Sequence, residues 1–258
     1  MKKLVVLLFV LASIRVYAEE GVSADAAADA NNPLSTAIAL SFQNYYMPVV
    51  SGTDAKINSF YLRYAQPLAK GRILIRASLP LTSTIMTTPD SSSTGLGNTN
   101  IFATYSFISK EKTTLGVGPF MLFPAIDDKG SDAWQVGAAL IGFFKPSAGF
   151  QWGGLVTWQT DVAGNDNTNL LVTQPFFIFQ LGNGLYIRST GIWTFDFISG
   201  NINIPLGLGI GKVFGGGTNI TYNVYIEPQF SVYNRGDGNP NFQLFVGFNN
   251  QFRLGSKK

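Results

Sequence analysis

Few side chains in this sequence can do acid–base or nucleophilic chemistry. The 258 residues include no His and no Cys, which excludes nucleophilic catalysis of the Ser–His or Cys–His kind. Two acids, Asp196 and Glu227, fall inside regularly patterned segments, and a carboxylate pair is the remaining candidate for general acid–base work. Because another patterned segment separates them, we expect no enzymatic activity and no cofactor.

Two further runs hold groups that bind ions in other proteins. The acid-rich run 127–132 does not match the spacing of a calcium loop, so we expect no metal site. The Gly-rich run 207–217 lacks the Lys-Ser/Thr ending of a phosphate loop. It predicts a row of glycines along one face of a strand, followed by a turn.

Three arginines are the sharper chemical feature. Arg63, Arg76 and Arg188 each lie about four or five residues from a short turn. Rings of Arg or Lys select or orient anionic or polarised solutes in other pores. Whether the three act together depends on the elements that carry them.

Those elements are segments in which apolar and polar residues alternate. Between Thr218 and Phe252, two long runs place apolar residues on even positions and mostly polar residues on odd ones. This is the periodicity of a β-strand. Twelve such segments occur, at about 36–46, 58–68, 72–81, 98–108, 113–123, 134–144, 149–160, 169–181, 184–197 and 201–213, and then the two runs just described. Both faces of the fourth, fifth and sixth segments carry apolar residues, so their orientation is ambiguous.

Short turns alternate with long links between these segments. The short turns lie at 69–71, 110–112, 146–148, 182–183 and 215–217, and the long links lie at about 47–57, 82–97, 124–133, 161–168 and 233–241. The link near residues 199–200 is the exception, since it is short where a long one is expected. Transmembrane β-barrels have this arrangement, with the short turns in the periplasm. An even number of strands then leaves both chain ends in the periplasm.

The N-terminus predicts export. A basic Lys2-Lys3 pair, an apolar run and Val16-Tyr17-Ala18 are typical of a cleaved signal peptide over residues 1–18, the alternative being an uncleaved anchor. Residues 19–34 are rich in Ala and Asp and predict a flexible periplasmic lead-in, too short to be a plug. We expect the barrel over 35–252 and a short C-terminal tail over 253–258.

The charge balance excludes nucleic acid as a partner. The 18 basic residues include Lys2, Lys3 and Arg15, so 15 remain after cleavage against 15 acidic residues. Instead, the chain is predicted to contact outer-membrane lipid, the barrel-insertion machinery and a small-molecule solute.

The predicted fold class is all-β: a transmembrane antiparallel up-and-down β-barrel of about 12 strands in the bacterial outer membrane. A soluble β-sandwich is the structural competitor, but its outer face would carry many charges. Here the polar faces are mostly Gly, Ser, Thr, Asn, Gln and Tyr. In a barrel the apolar faces therefore contact lipid and the polar faces line a lumen.

Eight residues are predicted to line that lumen: Arg63, Arg76, Arg188, Asp196, Glu227, Tyr45, Tyr61 and Tyr225. The three arginines are expected at similar heights above the periplasmic rim, with Asp161 and the two acids nearer the outer mouth. A hairpin centred on residues 69–70 would make Arg63 and Arg76 close to direct cross-strand partners. Either lumen water screens these charges, or they form a basic constriction that selects or orients anionic or polarised solutes.

Several runs are similar to those of a known family: GVGPFMLFP at 116–124, WQVG at 134–137, GLVTWQ at 154–159, QPFF at 174–177, GLYIRSTG at 184–191, PLGLGIGKVF at 205–214 and EPQ at 227–229. They resemble the bacterial outer-membrane transporter family named for the MetA pathway of phenol degradation, over most of the chain from about residue 96 to 252. The resemblance implies uptake of an aromatic or hydrophobic compound.

These observations predict a channel or transporter for passive uptake of a small molecule. The alternative is a non-conducting barrel that binds a partner through its acidic outer loops or stabilises the envelope. A lumen closed by side chains, or by an inward-folded 82–97 link, favours the alternative.

Overall fold

The computed structural model of the protein describes residues 22–86, 92–164, 167–215 and 219–253. The predicted signal peptide and the tail beyond Arg253 lie outside the described residues. The described chain contains a helix, α1 (Ala24–Ala30), and the strands β1 (Ile38–Val50), β2 (Lys56–Leu68), β3 (Ile73–Ile85), β4 (Ser93–Leu96), β5 (Asn100–Lys110), β6 (Thr113–Leu122), β7 (Trp134–Ser147), β8 (Phe150–Ala163), β9 (Asn169–Gly182), β10 (Leu185–Ser189), β11 (Trp193–Asp196), β12 (Ile202–Gly207), β13 (Gly209–Gly215), β14 (Ile220–Arg235) and β15 (Pro240–Phe252).

These strands form a closed antiparallel barrel of twelve staves. β10 and β11 are two halves of one stave, since both pair with β9, and β12 and β13 are halves of the next, since both pair with β14. β4 is a short addition to β3 within the 82–97 link. Pairing of β1 with β15, beginning at Ile38 opposite Phe252, closes the ring. The predicted twelve-stranded up-and-down barrel is confirmed.

The short turns gather at one end of the barrel, which we call the short-turn end. Between β2 and β3 the chain reverses through Ala69–Gly71, where Ala69 and Lys70 adopt φ of 50° and 58°. Asn183, between β9 and β10, has φ of 50°. In outer-membrane barrels this end faces the periplasm.

The outer surface is a belt of exposed apolar and aromatic side chains. Leu140 in the middle of β7 is 47% exposed, and the same face of the other staves carries Leu62, Leu79, Ile101, Trp152, Trp158, Phe177, Ile210, Ile226 and Phe230. A soluble monomer rarely exposes so continuous an apolar surface, whereas lipid requires it. In the described part of the chain, no helix is long and apolar enough to cross a membrane.

The interior explains why three segments were ambiguous in sequence. Their inward faces carry Phe102 on β5, Phe120 on β6, and Ala139, Ile141 and Phe143 on β7, which form a buried cluster with Leu34 and Leu74. One wall of the lumen is therefore apolar, and the strands that build it are apolar on both faces.

The segment expected to be a flexible lead-in instead forms α1 inside the short-turn end of the barrel. Ser23 caps the helix by accepting the N–H of Ala26 at 3.2 Å, and the small side chains of Ala27 and Ala30 pack into the lumen. Lys145 at the rim lies 2.8 Å from the Asp25 carboxylate. Alanine-rich sequence is a strong helix former, and the lumen supplies the apolar contacts that so short a helix needs.

Candidate functional site in the barrel lumen

Arg188 and Glu227 form an ion pair across the stave that separates them. Nε of Arg188 donates to Oε2 of Glu227 at 2.9 Å. The fully buried Glu227 carboxylate also accepts the backbone N–H of Thr190 at 2.6 Å, its hydroxyl at 2.9 Å, and Nε2 of Gln229 at 2.9 Å. Both carboxylate oxygens are therefore satisfied, as burial of a charge requires.

The glycine row of the intervening stave makes room for this pair. A Cβ at Gly207 would lie 2.5 Å from Oε1 of Glu227, and one at Gly209 would lie 2.6 Å from the Cβ of Glu227. Neither position has space for a side chain. The lumen-facing glycines predicted from sequence thus leave the volume that Glu227 occupies.

Thr190 lies where its stave leaves regular pairing, between the end of β10 and the start of β11. Its N–H donates to Glu227, and its carbonyl accepts Nε2 of Gln229 at 2.7 Å. Side chains of β14 thus replace the ladder bonds that Thr190 lacks, which keeps its backbone groups satisfied.

Aromatic side chains surround Arg188. Its guanidinium lies 3.6 Å from the ring centroid of Tyr225 and 5.2 Å from that of Phe245. Phe245 stacks on Tyr45 at 4.2 Å, and Tyr45 meets Tyr61 edge-on at 5.8 Å. The three tyrosines predicted to line the lumen therefore lie in one cluster, where cation–π contacts stabilise the arginine.

Arg63 and Arg76 are placed differently. Arg63 lies opposite Ser78, and Arg76 lies opposite Ala65, so the predicted near-direct pairing of the two arginines is wrong. The turn is shifted by one residue from the predicted centre, which makes them diagonal neighbours on the same face. Arg63 lies over the Tyr61 ring at 4.9 Å, and Arg76 lies over a phenylalanine ring of the apolar wall at 4.5 Å.

A cavity of about 180 Å³, called here the lumen cavity, lies between these groups. All three arginines line it. Ile141, Leu155, Phe176 and Ile178 of the apolar side line another part, and Ala30 and Asn31 of the N-terminal segment border it. The structure thus brings Arg63, Arg76 and Arg188 to a single space.

The acids do not share a position near the outer mouth. Glu227 pairs with Arg188 beside the lumen cavity, contrary to the prediction. Asp196 does not line the cavity; its carboxylate accepts the N–H of Ile198 at 2.9 Å and the hydroxyl of Ser199 at 2.5 Å in the turn after β11. Asp161 accepts the N–H of Thr168 at 2.5 Å. Each carboxylate is held in a separate network.

The acid-rich run 127–132 lies among loop contacts. Asp127 accepts the N–H of Leu96 at 2.7 Å, which ties the 124–133 link to β4. Across the described ranges, no group of three acidic side chains is placed to hold a metal ion.

Thr190, Gln229 and Phe245 belong to the site but were not predicted from sequence. Phe245 carried a signal, because it is an apolar residue on the polar parity of β15, between Gln243 and Gly247. Thr190 lies on the polar parity of its segment, but its role depends on the interruption of the stave, which the sequence does not show.

The closed twelve-stave fold and its apolar outer belt define an outer-membrane β-barrel. The structure is similar to the COG4313 outer membrane channel from Pseudomonas putida F1, with a TM-score of 0.61, 13% identity, and coverage of 84% of this chain and 94% of that chain. It is also similar to the KdgM porin, with a TM-score of 0.52, 8% identity and coverage of 84% and 99%. The NanC porin gives a TM-score of 0.52, 12% identity and coverage of 83% and 100%.

No protein-family model and no curated protein matches the sequence. At identities this low, the structural likeness shows the fold.

Proposed function

We propose that the protein is an outer-membrane channel for passive uptake of a small molecule. The observation that carries this proposal is the lumen cavity, in which three arginines and an apolar wall face the same space. The likeness to a channel and two porins supports a barrel that conducts. The family resemblance of the sequence supports an aromatic or hydrophobic solute.

The proposal includes no catalytic step. Without His or Cys the chain lacks the usual base and thiol nucleophile. Glu227 is paired with a guanidinium, and Asp196 caps a turn. A general acid or base must instead reach its substrate with a free oxygen.

Within this function, the arginines form the basic constriction. Arg188 is neutralised by Glu227, so the fixed positive charge at the lumen cavity comes from Arg63 and Arg76. Fixed cationic side chains in a narrow, water-poor passage raise the local concentration of anions and lower that of cations. We therefore expect anions to carry most of the current.

One observation favours the alternative of a non-conducting barrel. The lumen is partly filled by fully buried side chains, among them Tyr186, Gln229 and Phe245, and α1 borders the cavity at the short-turn end. A solute that crosses must pass between the arginines and the apolar wall and then past α1. Conduction is therefore the property to test.

The test is the single-channel current of the refolded mature chain, residues 19–258, in a planar bilayer under a salt gradient. We expect discrete current steps and a reversal potential whose sign shows that anions carry most of the current. The double variant Arg63→Gln with Arg76→Gln should shift the reversal potential in the direction of lower anion selectivity. Arg72→Gln is the control, because Arg72 is exposed at the turn before β3, and it should leave the reversal potential unchanged.

Silence from protein shown to be inserted would reject the channel in favour of the non-conducting barrel. An unchanged reversal potential in the double variant would reject the arginine constriction alone.

A further inference from the structure

Arg63 and Arg76 are left without anionic partners inside the barrel. In the part of the chain that the structure describes, no carboxylate lies within 4.0 Å of either guanidinium. The Nε atoms of both are buried and lack hydrogen-bond partners. Leaving buried charge unpaired costs free energy, and both arginines line the lumen cavity, so an anion bound there would compensate their charge.

The two guanidiniums are spaced for a single small anion. Their register places them as diagonal neighbours on adjacent staves, a separation of about 7–8 Å that long side chains can close. Each is also held against an aromatic ring, Arg63 on Tyr61 and Arg76 on Phe102. The rings hold the two guanidinium groups in place, and both arginines line the lumen cavity.

The opposite side of the cavity offers little to an ion. Its lining includes Ile141, Leu155, Phe176 and Ile178, and Ile141 belongs to the buried apolar cluster of β5, β6 and β7. Such a wall stabilises apolar surface, by about 25 cal/mol for each Å² removed from water, and Gln174, paired with Leu155, adds one polar side chain to it. A fully hydrated inorganic ion would therefore make no favourable contact with these apolar side chains.

We propose that the lumen cavity binds an organic monoanion, a carboxylate carried on a compact apolar body. The carboxylate accepts hydrogen bonds from Arg63 and Arg76, and the body lies against Ile141, Leu155 and Phe176. The volume of about 180 Å³ is below the roughly 300–1,000 Å³ of sites for drug-sized ligands, which limits the body to about one ring. This inference rests on the proposed uptake function for its meaning as a substrate class.

The experiment measures equilibrium binding by titration calorimetry to the refolded mature chain in detergent micelles. The probes are benzoate, benzyl alcohol, which keeps the ring without the charge, and acetate, which keeps the charge without the ring. Empty micelles supply the partitioning background. Heat-modifiable migration on gels shows that each variant is a folded barrel.

We expect benzoate to bind at least about tenfold more tightly than either other probe. Arg63→Gln with Arg76→Gln should weaken benzoate at least about tenfold, the effect of losing charged hydrogen bonds. Arg72→Gln should bind as the parent does. If the double Gln variant does not fold, Arg63→Lys with Arg76→Lys keeps the charge but loses the forked geometry, and should still weaken benzoate measurably.

Equal affinity for benzoate and benzyl alcohol would overturn the claim that the arginines bind the carboxylate. Equal affinity for benzoate and acetate would overturn the claim that the apolar side chains bind the ring. Benzoate binding that does not change in the folded arginine variants would overturn the whole assignment. Because binding in micelles needs no conduction, arginine-dependent binding in a barrel that is silent in bilayers would reject the channel and keep the site. Conduction without arginine-dependent binding would keep the channel and reject the binding site.

Discussion

Removing the charge of Glu227 tests whether the lumen is built around its ion pair with Arg188. Glu227→Gln keeps the size of the side chain but replaces one carboxylate oxygen by an NH₂ group. In the parent protein that oxygen accepts a hydrogen bond from Arg188 or from Thr190. In the variant an NH₂ donor faces the same N–H donor, and the hydrogen bond is lost. It also leaves the guanidinium without its counter-ion.

The expected loss of stability follows from burial. Glu227 is fully buried, and Arg188 is nearly so, which means that water cannot replace the missing partner. Breaking a buried pair by removing one member costs about 3–5 kcal/mol. Replacing both members, as in Arg188→Met with Glu227→Gln, removes the uncompensated charge, so the double variant should lose much less than the sum of the two single losses.

The assay is urea unfolding of the barrel refolded into lipid vesicles, followed by the fluorescence of its four Trp residues. Glu111→Gln is the matched control, because it makes the same chemical change at an exposed turn position and should stay within about 0.5 kcal/mol of the parent. A Glu227→Gln variant as stable as this control would refute the reasoning. Strictly additive losses in the double variant would show that the two residues do not interact.

Three further predictions concern α1, the glycine row and the lipid face. Deleting residues 22–34 should raise the single-channel conductance, because α1 borders the lumen cavity at the short-turn end; an unchanged conductance would show that ions bypass it. Gly209→Ala should lower the urea midpoint of unfolding, since the new Cβ would lie 2.5 Å from the carbonyl oxygen of Ile226. Gly149→Ala is the control, because its Cβ would lie 3.8 Å from the nearest atom, and it should leave the midpoint unchanged. Leu140→Arg should destabilise the barrel by about 2–4 kcal/mol in vesicles, the cost of an arginine at the bilayer midplane, and a loss below 1 kcal/mol would place β7 outside the lipid.

The architecture was predictable because each strand of a barrel wall repeats the same local alternation of apolar and polar residues. Alternation in β14 and β15 fixes which residues face lipid, since successive side chains of a strand point to opposite sides. Turn and link lengths then fix the order of the staves. The same parity placed Arg63, Arg76 and Arg188 inside before any pairing was known.

The contacts between lumen side chains were not predictable in the same way. Pairing register depends on the turn, and a shift of one residue in the hairpin centre turned Arg63 and Arg76 from facing partners into diagonal ones. The Arg188–Glu227 pair depends on the absence of side chains at Gly207 and Gly209, which matters only once three staves are in place. The N-terminal helix depends on the lumen itself, because alanine-rich sequence gives a stable short helix only where tertiary contacts support it.

The proposed passive uptake also requires that α1 can move without an energy source, and the polar contacts of α1 with the barrel wall are weak. The ion pair of Asp25 with Lys145 is partly exposed, a class of contact worth about 0–1 kcal/mol. Two hydrogen bonds add to it, from Asn223 to Asn31 and from Gln251 to the carbonyl of Ala30, each worth about 0.5–1.5 kcal/mol. These polar contacts add to the packing of Ala27 and Ala30 in the lumen. Together they are far fewer than the inter-strand hydrogen bonds of the barrel wall, so α1 is the part of the lumen lining that can be displaced while the staves and the buried ion pair stay in place.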